Sequence, residues 1–268
     1  MNQIEISPKI KINRLLDLKN FSKINEPNIN RDKILNIKLV FGGKEIRLKE
    51  LFNVSLLDKD SSKKLIKIKG SNKNFYNVGA NWDKDELRIF GDVGSFLGLK
   101  MLGGNIVVRG FADNFVGSQM IGGEIIIEKS AGDFVGSSNF GEKIGMRGGI
   151  IKINGNAGNF TAQYMRRGII IINGNVGNNA CDNMIAGNVV IEGHIGRSLC
   201  LGMKRGTVVV NKFKNNKEKN FVYCGIQSLN FYTILKNAYL SSNNYSNTFQ
   251  KFVGDRYNNG IGEILVRL

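Results

Sequence analysis

The chain has 268 residues, a net charge of +16, 33 glycines, two prolines, three cysteines and a single histidine. No apolar run approaches the roughly 18 residues of a membrane-spanning helix, and Met1-Asn-Gln-Ile-Glu-Ile-Ser-Pro8 lacks the apolar core of a signal peptide. One histidine with scattered cysteines builds neither a zinc site nor an iron–sulfur cluster, and unpaired cysteine spacing fits a reducing, cytoplasmic setting.

The charge is uneven. Residues 1–70 carry +8, residues 71–210 carry +3 and residues 211–268 carry +5. The excess therefore lies in the flanks. No nucleic-acid motif accompanies it, and the Lys/Asn/Ile richness reads as compositional bias, so neither nucleic acid nor membrane is an expected partner.

Residues 1–64 read as an α+β lead-in that caps the central region of the chain. Residues 34–41 have strand composition, Gly42-Gly43 makes a turn, and residues 45–52 return into a short element, which is a hairpin signature. A weak repeat unit runs from Leu65-Ile-Lys-Ile-Lys-Gly70 to Phe90.

The centre of the chain repeats. Met101, Met120, Met146, Met165, Met184 and Met203 are spaced by 19, 26, 19, 19 and 19 residues, the long interval containing a seven-residue insertion, residues 139–145. Each Met is followed three residues on by Gly. The six units start at Gly91, Gly110, Lys129, Gly155, Gly174 and Gly193, with the methionines at position 11. Position 8 is always small (Gly98, Gly117, Gly136, Ala162, Cys181, Cys200), and positions 16 and 18 are always Ile or Val. Nineteen residues hold short strands and glycine corners but no helix, so a Rossmann-type glycine fingerprint is excluded. A left-handed hexapeptide helix is excluded by the missing six-residue subperiod. The pattern predicts an all-β fold: a parallel β-solenoid of about seven coils over residues 65–210, with equivalent residues in ladders. Cys181 and Cys200 are then neighbours in a ladder of small core residues.

Residues 211–268 read as a C-terminal cap. They open on a charged loop, continue with helical spacing over residues 231–240 and end in the strand-like Gly262-Glu-Ile-Leu-Val-Arg-Leu268.

No catalytic constellation emerges. His194 sits at position 2 of its unit, a variable corner, and reads as a surface residue. One polar group stands out: Arg147, Arg166, Arg167, Lys204 and Arg205 occupy positions 12 and 13, directly after their methionines. Stacking aligns them in a basic strip suited to an acidic partner or a polyanionic ligand, since Arg binds carboxylates in fork geometry. The insertion, with Phe140, Glu142 and Ile144, maps to a loop, and insertions in repeat proteins often lie on a binding face.

The Gly-x-x-Gly…Met-x-x-Gly-x-Ile/Val-x-Ile/Val unit resembles the C subunit of formylmethanofuran dehydrogenase and of the bacterial formyltransferase/hydrolase complex. It also resembles the solenoid domain that ends the large subunit of glutamate synthase. Gly42-Gly-Lys-Glu-Ile-Arg-Leu-Lys-Glu-Leu-Phe52 is similar to the family's lead-in. Met165-Arg-Arg-Gly168 and Met203-Lys-Arg-Gly-Thr207 are similar to its corners. Gly254-Asp-Arg and Gly260-Ile-Gly-Glu-Ile-Leu265 are similar to the bacterial tail. The resemblance implies that the solenoid is a right-handed parallel β-helix and that the chain is a scaffold without catalytic residues, joining an amidohydrolase-like subunit to a formyltransferase subunit. That complex moves formyl groups from formyl-tetrahydromethanopterin to methanofuran and hydrolyses them to formate. It implies metals on other subunits and a carrier ending in γ-linked glutamates. The archaeal form implies a tungsten or molybdenum dehydrogenase instead. A glutamate-synthase-type module and a stand-alone polysaccharide-cleaving solenoid are the remaining alternatives.

Overall fold

The computed structural model describes residues 3–27, 29–57, 64–214, 220–229 and 247–268. The structure is mostly β, with a large, mainly parallel sheet. The lead-in contains β1 (Gln3–Pro8), β2 (Leu16–Asp17), a 3-10 segment (Lys19–Asn25), α1 (Arg31–Leu35), β3 (Lys38–Phe41), β4 (Lys44–Arg47), α2 (Leu48–Leu51) and β5 (Phe52–Leu57). The β3–β4 hairpin turns at Gly42-Gly43, both at positive φ, and runs into α2. Its first strand is shorter than expected. Residues 31–35 are helical because Asn30 caps them, its side-chain oxygen accepting the Lys33 N–H at 2.9 Å.

The repeat strands come next: β6 (Leu65–Ser71), β7 (Phe75–Tyr76), β8 (Glu86–Gly91), β9 (Asn105–Val108), β10 (Glu124–Ile127), β11 (Arg147–Ile153), β12 (Arg167–Ile172), β13 (Asn188–Ile191) and β14 (Thr207–Val210). From β6, through β8, to β14 each pairs in parallel with the next at the repeat register, so that Ile106, Ile125, Ile151, Ile170, Val189 and Val208 stand in one line. β-Branched residues at positions 16 and 18 all point inward and are buried. β1 extends the same sheet before β6, flanked on its outer side by antiparallel β5. The tail strands are β15 (Val222–Ser228), β16 (Thr248–Gly254) and β17 (Gly262–Arg267). β17 pairs in parallel with β14, and β16 and β15 then add in antiparallel order. The helical spacing at 231–240 lies outside the described residues.

Units touch at further lines. At position 3, parallel bridges join Val93, Ala112 and Ala131, and then Ala157, Val176 and Ile195. Between positions 6 and 10 the backbone zigzags, with every second residue at positive φ: Phe96, Gly98 and Lys100 in the first unit, Asn179, Cys181 and Asn183 in the fifth. Such a backbone directs alternate N–H groups up and down the stack. Phe96 and Lys100 donate to Asn114 and Ser118 of the following unit, while Gly98 donates to Val78 of the preceding one. Holding non-glycine residues in the left-handed region costs about 1–2 kcal/mol each, and the bonds made in both directions offset it.

Two side-chain columns complete the stack. Position 2, expected to be a variable corner, is a hydrogen-bonding column. Asp92, Ser130, Asn156 and Asn175 each accept the backbone N–H of the equivalent or neighbouring residue one unit on, at 2.8–2.9 Å. Position 5 repeats the device with Asn114, Asp133, Asn159 and Asn178. His194 is exposed, as expected, and closes the position-2 column by donating its backbone N–H to Asn175.

The six methionines of the repeat are fully buried. The unit before the first has Trp82 in the methionine slot, where its carbonyl accepts the Leu102 N–H just as Met101 accepts that of Ile121. The tail is pinned to the last unit by Asp255. This buried carboxylate accepts the Gly202 N–H at 3.0 Å and the Asn258 side-chain amide at 2.9 Å.

Candidate functional site

The residue after each buried methionine must leave the core, because its neighbour fills it. Position 12 is accordingly an outer column, built rung on rung by backbone bonds. Ile121 N–H donates to Met101, Arg147 to Met120, Arg166 to Met146, Ile185 to Met165 and Lys204 to Met184. Ile261 of the tail continues it, donating to Lys204.

The structure places all five cations of the basic strip on this edge, and all are exposed. Arg147 and Arg167 are direct partners between β11 and β12, with Arg166 beside them. Ile185 and Ala186 separate this trio from Lys204 and Arg205. The strip is thus two clusters.

The insertion joins the same edge. Asn139 is anchored by Ser118, whose hydroxyl donates to its side-chain oxygen at 3.0 Å, and Gly145 N–H returns to Tyr164. Phe140 meets the rings of Phe115 and Phe134 edge-on, at 5.2 and 5.7 Å, yet stays 79% exposed. These rings belong to a stack of Phe96, Phe115, Phe134 and Phe160 at successive centroid distances of 4.9, 4.7 and 5.1 Å. Glu142 and Ile144 are also exposed. Together with Lys100, Gln119, Lys143 and Arg147 they line a cleft of about 320 Å³. Lys100 and Lys143 were not singled out from the sequence: they occupy unrelated positions in the repeat, and only the insertion brings them together.

Charge pairing differs around the molecule. On the sheet side Arg88 pairs with Glu86, Arg109 with Glu128 and Lys251 with Glu263, and Arg267 grips Glu192 through both terminal nitrogens. On the edge, Lys100, Lys143, Arg147, Arg166, Arg167, Lys204 and Arg205 have no carboxylate within ion-pair distance among the described residues. Lys204 reaches only the Asn258 carbonyl, at 3.2 Å.

A larger cavity of about 820 Å³ opens at the end of the stack, lined by His194, Ser198, Leu199, Lys212, Phe213 and Phe221 among others. Among the described residues no group of three His, Cys, Asp or Glu side chains is placed to share a metal ion. Cys181 and Cys200 are free, buried thiols. Burial, then the neighbouring Cys181, pushes the Cys200 thiol well up, so it stays protonated and unreactive. Asp182 is also held above the ordinary carboxylate range, by burial, despite accepting bonds from the Asn179 amide and the Leu201 N–H. No helix of the described residues is long and apolar enough to cross a membrane.

Comparison with solved structures finds a chain from the crystal structure of the formyltransferase/hydrolase complex of Methylorubrum extorquens, determined with methylofuran bound. The two share 26% identity and superpose with a TM-score of 0.84, over 98% of this chain and 99% of that one. No curated protein matches. The family model described as the GXGXG motif matches residues 66–251, a span that contains every repeat strand from β8 to β14, and the chain belongs to that family.

Proposed function

We propose that this chain is the non-catalytic scaffold, the C subunit, of a one-carbon formyl-transfer complex. The observation that carries the reading is the end-to-end likeness to a chain of the Methylorubrum complex. It is supported by the lead-in, corner and tail motifs and by the Asp255 tail anchor. That relative comes from a formyltransferase/hydrolase, which favours the hydrolytic assembly over a dehydrogenase. In this reading residues 65–210 form a right-handed β-helix of about seven coils, the hand that parallel strand–crossover–strand connections almost always adopt. Residues 1–64 and 211–268 cap its two ends. The chain joins an amidohydrolase-like subunit to a formyltransferase subunit, which hold the metals and bind the pterin. Arg147, Arg166, Arg167, Lys204 and Arg205, with the loop bearing Phe140, Glu142 and Ile144, form the contact for a polyglutamylated carrier or for an acidic partner surface.

The test is co-expression of the tagged chain with formyltransferase and amidohydrolase-like subunits from the same genome. The expected result is a stable complex that turns over formyl carrier, and no turnover by the chain alone. Hydrolysis of formylmethanofuran by the purified chain overturns the scaffold assignment.

A further inference from the structure

The exposed apolar residues of the repeat are not scattered. Between residues 91 and 210 the large apolar side chains that are exposed are Leu102, Ile121, Phe140, Ile144 and Leu201. Two occupy position 12, two the insertion, and Leu201 sits at position 9, two residues before Met203. The first four are on the edge that carries the unpaired cations, whereas Leu201 lines the cavity at the end of the stack. The tail brings Ile261, 71% exposed, to the next rung after Lys204. The sheet side shows the opposite. There the outward Ile171, Val190 and Val209 are buried and form a second apolar cluster side by side with Leu265 of β17 and Phe249 of β16. Within the repeat, outward apolar residues are thus buried on the sheet side and bare along one edge.

From Leu102 to Ile261 the edge has six inter-rung steps, about 29 Å at the usual strand spacing. A standard interface covers on the order of 800 Å² per partner, a patch about 30 Å across. Apolar contacts interleaved with Arg are the composition of an interface core. A flexible polyanion alone gives no reason for bare Leu and Ile. A second copy of this chain is a poor occupant, because seven cations would face seven cations in a molecule already at +16.

We infer that this edge, from Leu102 and Ile121 through Arg147, Arg166 and Arg167 to Lys204 and Ile261, is a docking surface for a different protein chain that presents carboxylates around apolar side chains. The inference rests on the complex reading above and assigns the edge to protein rather than to carrier.

The experiment uses the full chain co-expressed with the two subunits. One variant combines Leu102→Glu and Ile121→Glu, and a second Arg166→Glu, Arg167→Glu and Lys204→Glu. Asn173→Glu, an exposed position on the opposite border of the strand, is the control. All substituted residues are exposed, so melting temperatures should match the parent. Assembly is read by size-exclusion chromatography and by titration of one subunit. Carboxyl–amine zero-length cross-linking of the unsubstituted complex gives an independent readout at Lys100, Lys143 and Lys204. The expected result is binding weakened by about tenfold or more in both edge variants, no change in the control, and cross-links from those lysines to partner carboxylates. Full assembly of both edge variants without such cross-links overturns the inference. Full assembly with a raised carrier KM overturns it and gives the edge to the carrier. Failure of the unsubstituted chain to bind either subunit removes the complex reading, and this inference with it.

Discussion

The first and second halves of the repeat solve one packing problem differently. In the first half position 8 is glycine, and a Cβ on Gly79, Gly98, Gly117 or Gly136 would lie 2.4–2.5 Å from Cδ1 of Ile106, Ile125, Ile151 or Ile170, one unit on. In the second half position 8 is Ala162, Cys181 or Cys200; the same register places Val189 and Val208 opposite the first two, while Ile264 of β17 follows Cys200. Valine has no Cδ1, and its missing methyl is the space that the Ala or Cys side chain occupies. Backbone conformation is unchanged, with φ near +60° at Ala162, Cys181 and the glycines alike. Glycine here therefore serves volume as much as torsion: the slot is shared between two units, and what one gives up the other fills.

The halves also part at position 6. The boundary there is one unit later, since the phenylalanine stack runs on to Phe160, beside Ala162; Asn77 before the stack and Asn179 and Ser198 after it hold the same left-handed torsion. Aromatic stacking compensates strain along the column, and at its two ends asparagine, which tolerates that torsion, avoids part of it.

The largest effect should come from the shared slot itself. Ile170→Ala removes a fully buried side chain whose Cδ1 lies over Gly136. It should cost about 2–5 kcal/mol. An unchanged denaturation midpoint would mean position 16 faces solvent.

Next, the phenylalanine column should be unequal along its length. Phe115 stacks between Phe96 and Phe134 and meets Phe140 edge-on, so Phe115→Asn should cost about 2–4 kcal/mol. Phe160 stacks only on Phe134, and the next residue in the column is already Asn179. Phe160→Asn should cost about 1 kcal/mol or less, because lost stacking is offset by relief at a left-handed position. Equal losses in urea melts would show that stacking does not support the torsion.

The volume exchange predicts coupled pairs. Gly136→Ala should destabilise by about 1–3 kcal/mol alone and by clearly less with Ile170→Val. In the second half Val189→Ile should cost a similar amount and be rescued by Ala162→Gly. Additive pairs would break the comparison between the halves.

Much of this architecture was legible because it is periodic. Position 8, the methionines and the Ile/Val pairs recur at 19 residues, and recurrence marks the inward face without knowledge of depth. The Trp82 unit was only partly legible. Trp82 precedes Met101 by 19 residues, but it fills the slot with an indole, and Asp85 takes the glycine's place at φ +64°. Type had changed while spacing had not. The position-2 and position-5 columns were present as a 19-residue recurrence of Asp, Asn and Ser. They were missed because the shared property is an acceptor oxygen, not hydrophobicity. The edge was half legible. Arg and Lys after Met declared themselves, but Leu102 and Ile121 carry no mark of exposure, since an apolar residue beside a core methionine reads equally as core. Lys100 and Lys143 join Arg147 only through the insertion's path, which period alone does not describe.

The smallest expected effect lies at Asp182, next to the Cys181 of the second half's slot. Burial holds its carboxyl above the ordinary value. As pH rises from about 4, the unfolded chain releases this proton first while the folded chain retains it. The unfolded state is thereby favoured, and stability falls until pH passes the raised folded value. Asp182→Asn removes the proton and with it the fall. Asn keeps an oxygen for the Leu201 N–H, now at 3.2 Å from the carboxylate. Its amide requires the Asn179 side chain, which now donates at 2.9 Å, to turn and offer oxygen. That rearrangement shifts stability by an amount independent of pH, so only the pH dependence is diagnostic. Melts of both proteins across the acidic range should diverge, with Tm of the variant minus Tm of the parent growing as pH rises and then levelling. Parallel profiles would mean that Asp182 ionises as it does in the unfolded chain, and that the second half's slot is more open to water than its burial implies.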